Sequence, residues 1–209
     1  MESLAGVALV YAVFLGGMMS PGPDFLVVLR NSLGFSARTG IYTAAGIAAG
    51  LVIHIGYCVA GIGLLISQSI LLFNLIKWLG AAYLIYMGVR ALRSPGVALA
   101  TTTDAPKDGK TAGQAFANGF VVNLFNPKAT MFFLALFSQM IDPATPIAIQ
   151  IAFGAGCVAT AFVWFSLVAA VMGIGRVRQA YARASKWTDR IFGAFFIGLG
   201  AKLALARAG

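Results

Sequence analysis

Between Arg38 and Lys77 the chain carries no Asp, Glu, Lys or Arg. A helix that crosses the hydrocarbon core of a bilayer needs about 20 residues, so this stretch alone is long enough to cross. The rest of the sequence agrees with it. Glu2 and Arg30 bracket a second apolar run whose only charge is Asp24. Of the 209 residues 60% are hydrophobic and 10% charged, against about 25% charged in soluble domains. A globular core of this size cannot hide that much apolar surface, so the expected solvent is lipid.

Apolar windows set against their polar breaks predict six spans: Leu4 to Leu29, Gly40 to Ile66, Ile70 to Leu92, Ala115 to Ile141, Ile147 to Ile174 and Ile191 to Leu205. Helices are expected because each satisfies its own backbone polar groups in lipid, and the alternation of a strand barrel is absent. The first span lacks the basic start and small-residue cleavage site of a secretory signal, so it is expected to be retained.

The net charge of +9 reads as topology and not as a nucleic-acid partner. Arg30 and Arg38 flank the first connection. Arg90, Arg93, Lys107 and Lys110 surround the third, and Arg176, Arg178, Arg183, Lys186 and Arg190 crowd the fifth; only Lys77, Lys202 and Arg207 fall on the opposite side. The positive-inside rule then puts both termini outside and the odd-numbered connections in the cytoplasm. Residues 93–114, rich in Thr, Ala, Gly and Pro, read as a cytoplasmic linker.

That linker divides the chain into two three-helix halves, 1–92 and 115–209, of one integral-membrane domain. An ungapped shift of 106 residues lays Ser20 and Pro21 on Asn126 and Pro127, Gly50 on Gly156, and His54 on Thr160. Three helices per half make the second copy inverted relative to the first, an arrangement found in many secondary transporters. The expected fold is therefore all-α, with six transmembrane helices as a 3+3 inverted repeat.

The aligned segments are "MSPGPDFLVVL", from Met19, and "LFNPKATMFFL", from Leu124. In each, a good N-cap residue, Ser20 or Asn126, precedes a proline at the first helical position. This predicts that helices 1 and 4 are broken and restart within the membrane, with helix breaks at Pro21, Gly22, Pro23 and Pro127. Proline cannot donate to the carbonyl four residues back, which frees those of Gly17, Met19 and Asn123. Such groups are tolerated at bilayer depth only inside protein or beside a watery cavity, and a helix start favours an anion.

Lys128 lies about a dozen residues, ~18 Å of helix, from either end of its span, too far to reach water fully. A lysine at the centre of a span costs about 3 kcal/mol, so a compensating partner is expected: either Asp24 or a substrate carboxylate. Asp24 is either an acid stabilised by the helix dipole alone or a site for an ammonium group or a proton. The candidate binding residues are thus Ser20, Asp24, Asn123, Asn126 and Lys128. His54 follows Gly46 and Gly50 on one helix face; it is a hydrogen-bonded packing residue or, with Asp24, a proton-coupling site. Asn118 and Asn123 are interhelical hydrogen-bond partners or cavity lining. Tyr83 and Tyr86 suit packing, Trp78 and Trp187 interfacial anchors, and Cys58 and Cys157 small buried hydrophobes.

The segments "SPGPDFLVVLRNS", "GIAAGLVIHIG", "LGAAYLIYMGVRAL" and "ANGFVVNLFNPKATMFFLALFSQ", in that order, resemble the LysE/RhtB family of amino-acid exporters over essentially the whole chain. Pro21, Gly22 and Pro23 match the first signature of the family, and Asn123, Asn126, Pro127 and Lys128 the second. The resemblance implies a multi-pass protein of the bacterial inner membrane that exports amino acids or close derivatives by proton antiport. Exporters of homoserine, threonine, leucine, lysine and arginine share this frame. The near absence of charge beside Asp24 and Lys128 favours a small neutral substrate over a basic one.

An enzyme is not expected, since H-E-x-x-H and G-x-S-x-G are absent and there is one histidine. ATP-driven pumping would require a phosphate-binding loop that the chain lacks. Export of a metal cation such as Cd²⁺ is the nearest rival, although one Asp and one His within the spans make a poor ligand set. No cofactor or metal is expected. The expected partners are the amino-acid substrate, protons and the bilayer, and a homo-oligomer is compatible with the glycine faces.

Overall fold

The structure is a computed structural model that describes residues 4–68, 70–96, 109–140 and 145–205. Among these residues there are eight helices: α1 (Leu4–Met19), α2 (Pro23–Gly34), α3 (Ala37–Gln68), α4 (Ile70–Leu92), α5 (Ala112–Leu124), α6 (Pro127–Met140), α7 (Ile147–Val171) and α8 (Gly175–Leu205). The described residues form helices and no strands, as the sequence predicts. Two stretches are long and apolar enough by themselves to cross a membrane, Ala37–Ala60 within α3 and Ile147–Val171. The shorter helices α1, α2, α5 and α6 are pieces of interrupted ones, and a crossing of about 30 Å needs them in pairs.

Both predicted interruptions are present, but the first is built differently from the expectation. The second restart follows the sequence rule: Asn126 precedes Pro127, and its Oδ1 accepts the backbone N–H of Lys128 at 3.0 Å. In the first, Pro23 and not Pro21 opens the new helix, and the N-cap is Gly22, extended at φ −156° with no side-chain cap. With two prolines available, the later one takes the first helical position. That leaves Ser20 outside the helix with its hydroxyl free for another partner.

Other boundaries also shift, α3 running Ala37–Gln68 against the expected Gly40 to Ile66. α5 starts at Ala112, three residues before the expected Ala115, because Thr111 and Gln114 form a reciprocal capping box inside the presumed linker. α7 ends at Val171, short of Ile174. The largest change is in α8, which begins at Gly175 and not at Ile191. Its basic N-terminal half reads as a connection by hydropathy, yet nothing in it breaks a helix. Lys107, Ile141 and Arg207 lie outside the described residues.

Two close crossings organise the packing. α3 and α5 run parallel, with Gly46 against the Phe116 carbonyl and Gly119 against that of Thr43, so near that a methyl group on either glycine would collide with backbone. α4 and α8 run antiparallel through Gly88 and Gly193. Where α1, α6 and α7 meet, Phe14, Phe132, Phe133, Phe137 and Phe153 interlock with ring centroids 5.5–6.4 Å apart. The outer surface is apolar too: Ile147, Ile151, Val163 and Leu167 of α7 are all more than half exposed, which suits lipid and not water.

Candidate functional site

At the two interruptions Pro23 and Pro127 each leave a carbonyl that finds another partner. The Met19 carbonyl, released by Pro23, accepts the Tyr181 hydroxyl at 2.9 Å. The Asn123 carbonyl, released by Pro127, accepts from the Asn126 backbone at 2.9 Å and from His54 Nε2 at 3.0 Å. A carbonyl only accepts, so Nε2 carries the proton; in the neutral ring Nδ1 then accepts the Tyr57 hydroxyl at 2.7 Å. His54 is 1% exposed and props Asn123 from behind, apart from the pocket described next.

The interruptions reach across to each other. Lys128, in the first turn of α6, donates from Nζ to the Ser20 carbonyl at 3.0 Å. Asp24, in the first turn of α2, accepts the Asn123 side-chain amide on Oδ2 at 2.9 Å. Each charged side chain therefore satisfies the opposite break. Gly50 permits this arrangement, because a Cβ there would stand 2.5 Å from Asn123 Oδ1.

A pocket of about 500 Å³, mouth included, opens beside this crossing. Ser20, Gly22, Asp24, Asn126 and Lys128 are among the residues that line it. Asp24 Oδ1, a buried acceptor there, has no hydrogen-bond partner; Asn123 Oδ1 is also unpaired but lies against Gly50. Lys128 Nζ has three N–H groups, one of them on Ser20, and the ammonium lies 6.0 Å from the centroid of Phe196. A smaller recess, lined by Tyr83, Leu84 and Met87, adjoins at Lys128, Phe132 and Phe196. Of the sequence candidates the structure thus gathers Ser20, Asp24, Asn126 and Lys128 around one space; Asn123 does not line it and is tied to it through its bond to Asp24. Pro21, Pro23 and Pro127 shape the backbone without lining it.

Sequence reasoning misses Asp189. This α8 carboxylate is 2% exposed and accepts the Ser20 hydroxyl at 3.0 Å. Flanked by Lys186 and Arg190 it reads as part of a solvated charged segment, and only the extension of α8 shows otherwise. A second polar cluster was half visible in Asn118. Asn31 donates from Nδ2 to Thr43 Oγ1 at 2.8 Å and to Asn118 Oδ1 at 3.1 Å. Lys110 Nζ donates to Asn31 Oδ1 at 3.2 Å and to Asn118 Oδ1 at 3.0 Å. This cluster joins α2, α3 and α5 at the end where α2 finishes and α5 begins. Burial, reinforced by the charge of Arg30, holds the Lys110 ammonium below the usual lysine range.

Geometry of this kind suits reversible binding of a small dipolar ion, and comparison with known proteins decides the class. The pattern that defines the LysE type translocator family matches residues 15–207. The chain belongs to that family. This translocator, and not an enzyme, is 32% identical over 202 residues to the threonine efflux protein of Escherichia coli (strain K12), covering 96% of the chain and 97% of that protein. It is 33% identical over 196 residues to the homoserine/homoserine lactone efflux protein of Salmonella typhimurium, covering 90% and 91%. An uncharacterized membrane protein of Vibrio cholerae is 34% identical over 192 residues, covering 91% and 92%. No solved structure matches the translocator.

Proposed function

We propose that this translocator exports neutral amino acids, or close derivatives, across the bacterial cytoplasmic membrane in exchange for protons. The observation that carries the reading is the pairing of opposite unfilled valences at one pocket: the orphaned Asp24 Oδ1 on one side, the spare N–H groups of Lys128 on the other. An amino-acid zwitterion fills both, its carboxylate on Lys128 and the α6 helix start, its ammonium on Asp24. The efflux of threonine and of homoserine by relatives of matching length supports the amino-acid class.

Asp24 is also the proton site, since a carboxylate that binds either an ammonium or a proton, and not both, couples the two movements. His54 acts through Asn123 as a positioning residue. The candidate metal reading has less support: among the described residues no three His, Cys, Asp or Glu side chains gather as a ligand set.

The motion is alternating access between two inverted halves, 1–92 and 115–209, joined by the 93–114 linker. Paired as α1–α2, α3, α4 and α5–α6, α7, α8, they make six crossings with both termini outside. One feature supports the repeat: Gly50 makes room for Asn123 of the other half, and its counterpart Gly156 makes room for Tyr11. On this topology the Asn31, Thr43, Asn118 and Lys110 cluster closes the cytoplasmic side. The test uses purified protein in vesicles with an imposed pH gradient and radiolabelled amino acids. Uptake that needs the gradient and is lost in Lys128→Met supports the reading; gradient-driven uptake of Cd²⁺ with no amino-acid transport would sink it.

A further inference from the structure

The polar lining of the pocket is small. Ser20, Asp24, Asn126 and Lys128 are the polar side chains that line it, and all four belong to the interruptions. Much of the remaining wall consists of phenylalanines drawn from five helices: Phe14 of α1, Phe25 of α2, Phe132 and Phe133 of α6, Phe165 of α7 and Phe196 of α8. Three of these rings hold one another in place, Phe14 with Phe132 at 5.7 Å, Phe14 with Phe133 at 5.5 Å, and Phe132 with Phe133 at 5.6 Å. Phe25 is stacked on Tyr181 at 4.6 Å.

Resting on the zwitterion reading above, we propose that the phenylalanine wall is the side-chain subsite and that the substrates of this translocator carry an apolar side chain, in contrast to the hydroxylated amino acids named for its relatives. Once the α-carboxylate and α-ammonium are docked on Lys128 and Asp24, Cβ and beyond project against Phe rings. A hydroxyl there gives up water and finds no partner on the wall. Tyr83 lines the smaller recess and is not part of the wall. An apolar subsite excludes a hydroxylated isostere only moderately, by roughly a hundredfold. Preference, not absolute exclusion, is the expected result.

The experiment measures exchange by the reconstituted full chain with two isosteric pairs, valine against threonine and norvaline against homoserine, which differ only by methyl for hydroxyl. In each pair the methyl member is expected to exchange roughly ten- to a hundredfold faster at limiting concentration. Phe132→Tyr and Phe165→Tyr each place a hydroxyl in the wall and should narrow those ratios several-fold. Equal or reversed ratios in the wild-type protein overturn the subsite and leave amino-acid transport standing. Ratios unchanged in both variants, each shown to be folded by its helical circular dichroism, assign selectivity to somewhere other than the wall and overturn it too. No exchange of any α-amino acid by folded protein removes the zwitterion reading itself, and this inference with it.

Discussion

Lys128 and Asp24 illustrate how a charge in an apolar run announces itself. Each is costly enough in lipid to stand out in the sequence, and each lies at the pocket. What the sequence leaves open is whom they hold: each ties down the opposite interruption, through the Ser20 carbonyl and the Asn123 amide. Lys128→Met should therefore lower vesicle transport by at least about tenfold while Lys128→Arg keeps part of it, because the bond to Ser20 and the carboxylate contact need a cation. Asp24→Asn can still accept from Asn123, so its thermal unfolding midpoint should stay near that of the parent while the dependence of transport on the pH gradient disappears. Full gradient dependence in that variant would return the residue to a purely structural role. Asp189 escaped notice for the opposite reason. Among the basic residues of α8 an acid looks ordinary, and its burial is a matter of tertiary packing.

The capping box of Thr111 and Gln114 was passed over as linker, but a helix start was legible where an N-cap residue meets a single proline. Asn126 with Pro127 is such a case, and Asn126→Ala should destabilise the protein by about 1 kcal/mol, read from thermal or denaturant unfolding in detergent. The same reasoning misplaced the first restart by two residues, since local rules alone do not say which of two prolines takes the first turn. Ser20→Ala consequently removes no cap, and its expected cost is the bond to Asp189. Ends set by hydropathy were less secure than ends set by caps. α8 runs on past its apolar portion because a helix needs no apolar residues to persist, only the absence of a breaker. For α3 and α5 the glycines were visible but their partners were not. Gly119→Leu should prevent the parallel crossing and leave little folded protein, whereas Gly113→Leu, at a glycine with nothing within 4 Å of its Cβ position, should be tolerated.

The polar cluster of Asn31, Thr43, Asn118 and Lys110 joins α2, α3 and α5, and its strength should vary with pH in a defined sense. Lys110 titrates below its ordinary value in the folded protein, so between the folded and unfolded values the unfolded chain binds more protons, and stability rises with pH across that window. Unfolding midpoints measured from pH 8 to pH 11 should show this rise in the parent protein and lose it in Lys110→Met. A rise of the same size in the variant would assign it to other groups. The overall plan was readable in the sequence to the extent that apolar runs and breaks dictate it; the contacts between distant segments were not, because nothing local to Asn31 names Asn118. The crosswise bonding of the two interruptions has a further bearing on any guest. A carrier whose own segments already bandage one another leaves its charges only partly vacant, so an arriving dipole must share Asp24 and Lys128 with bonds that exist. Such sharing returns little net free energy, and a modest grip is what lets cargo depart.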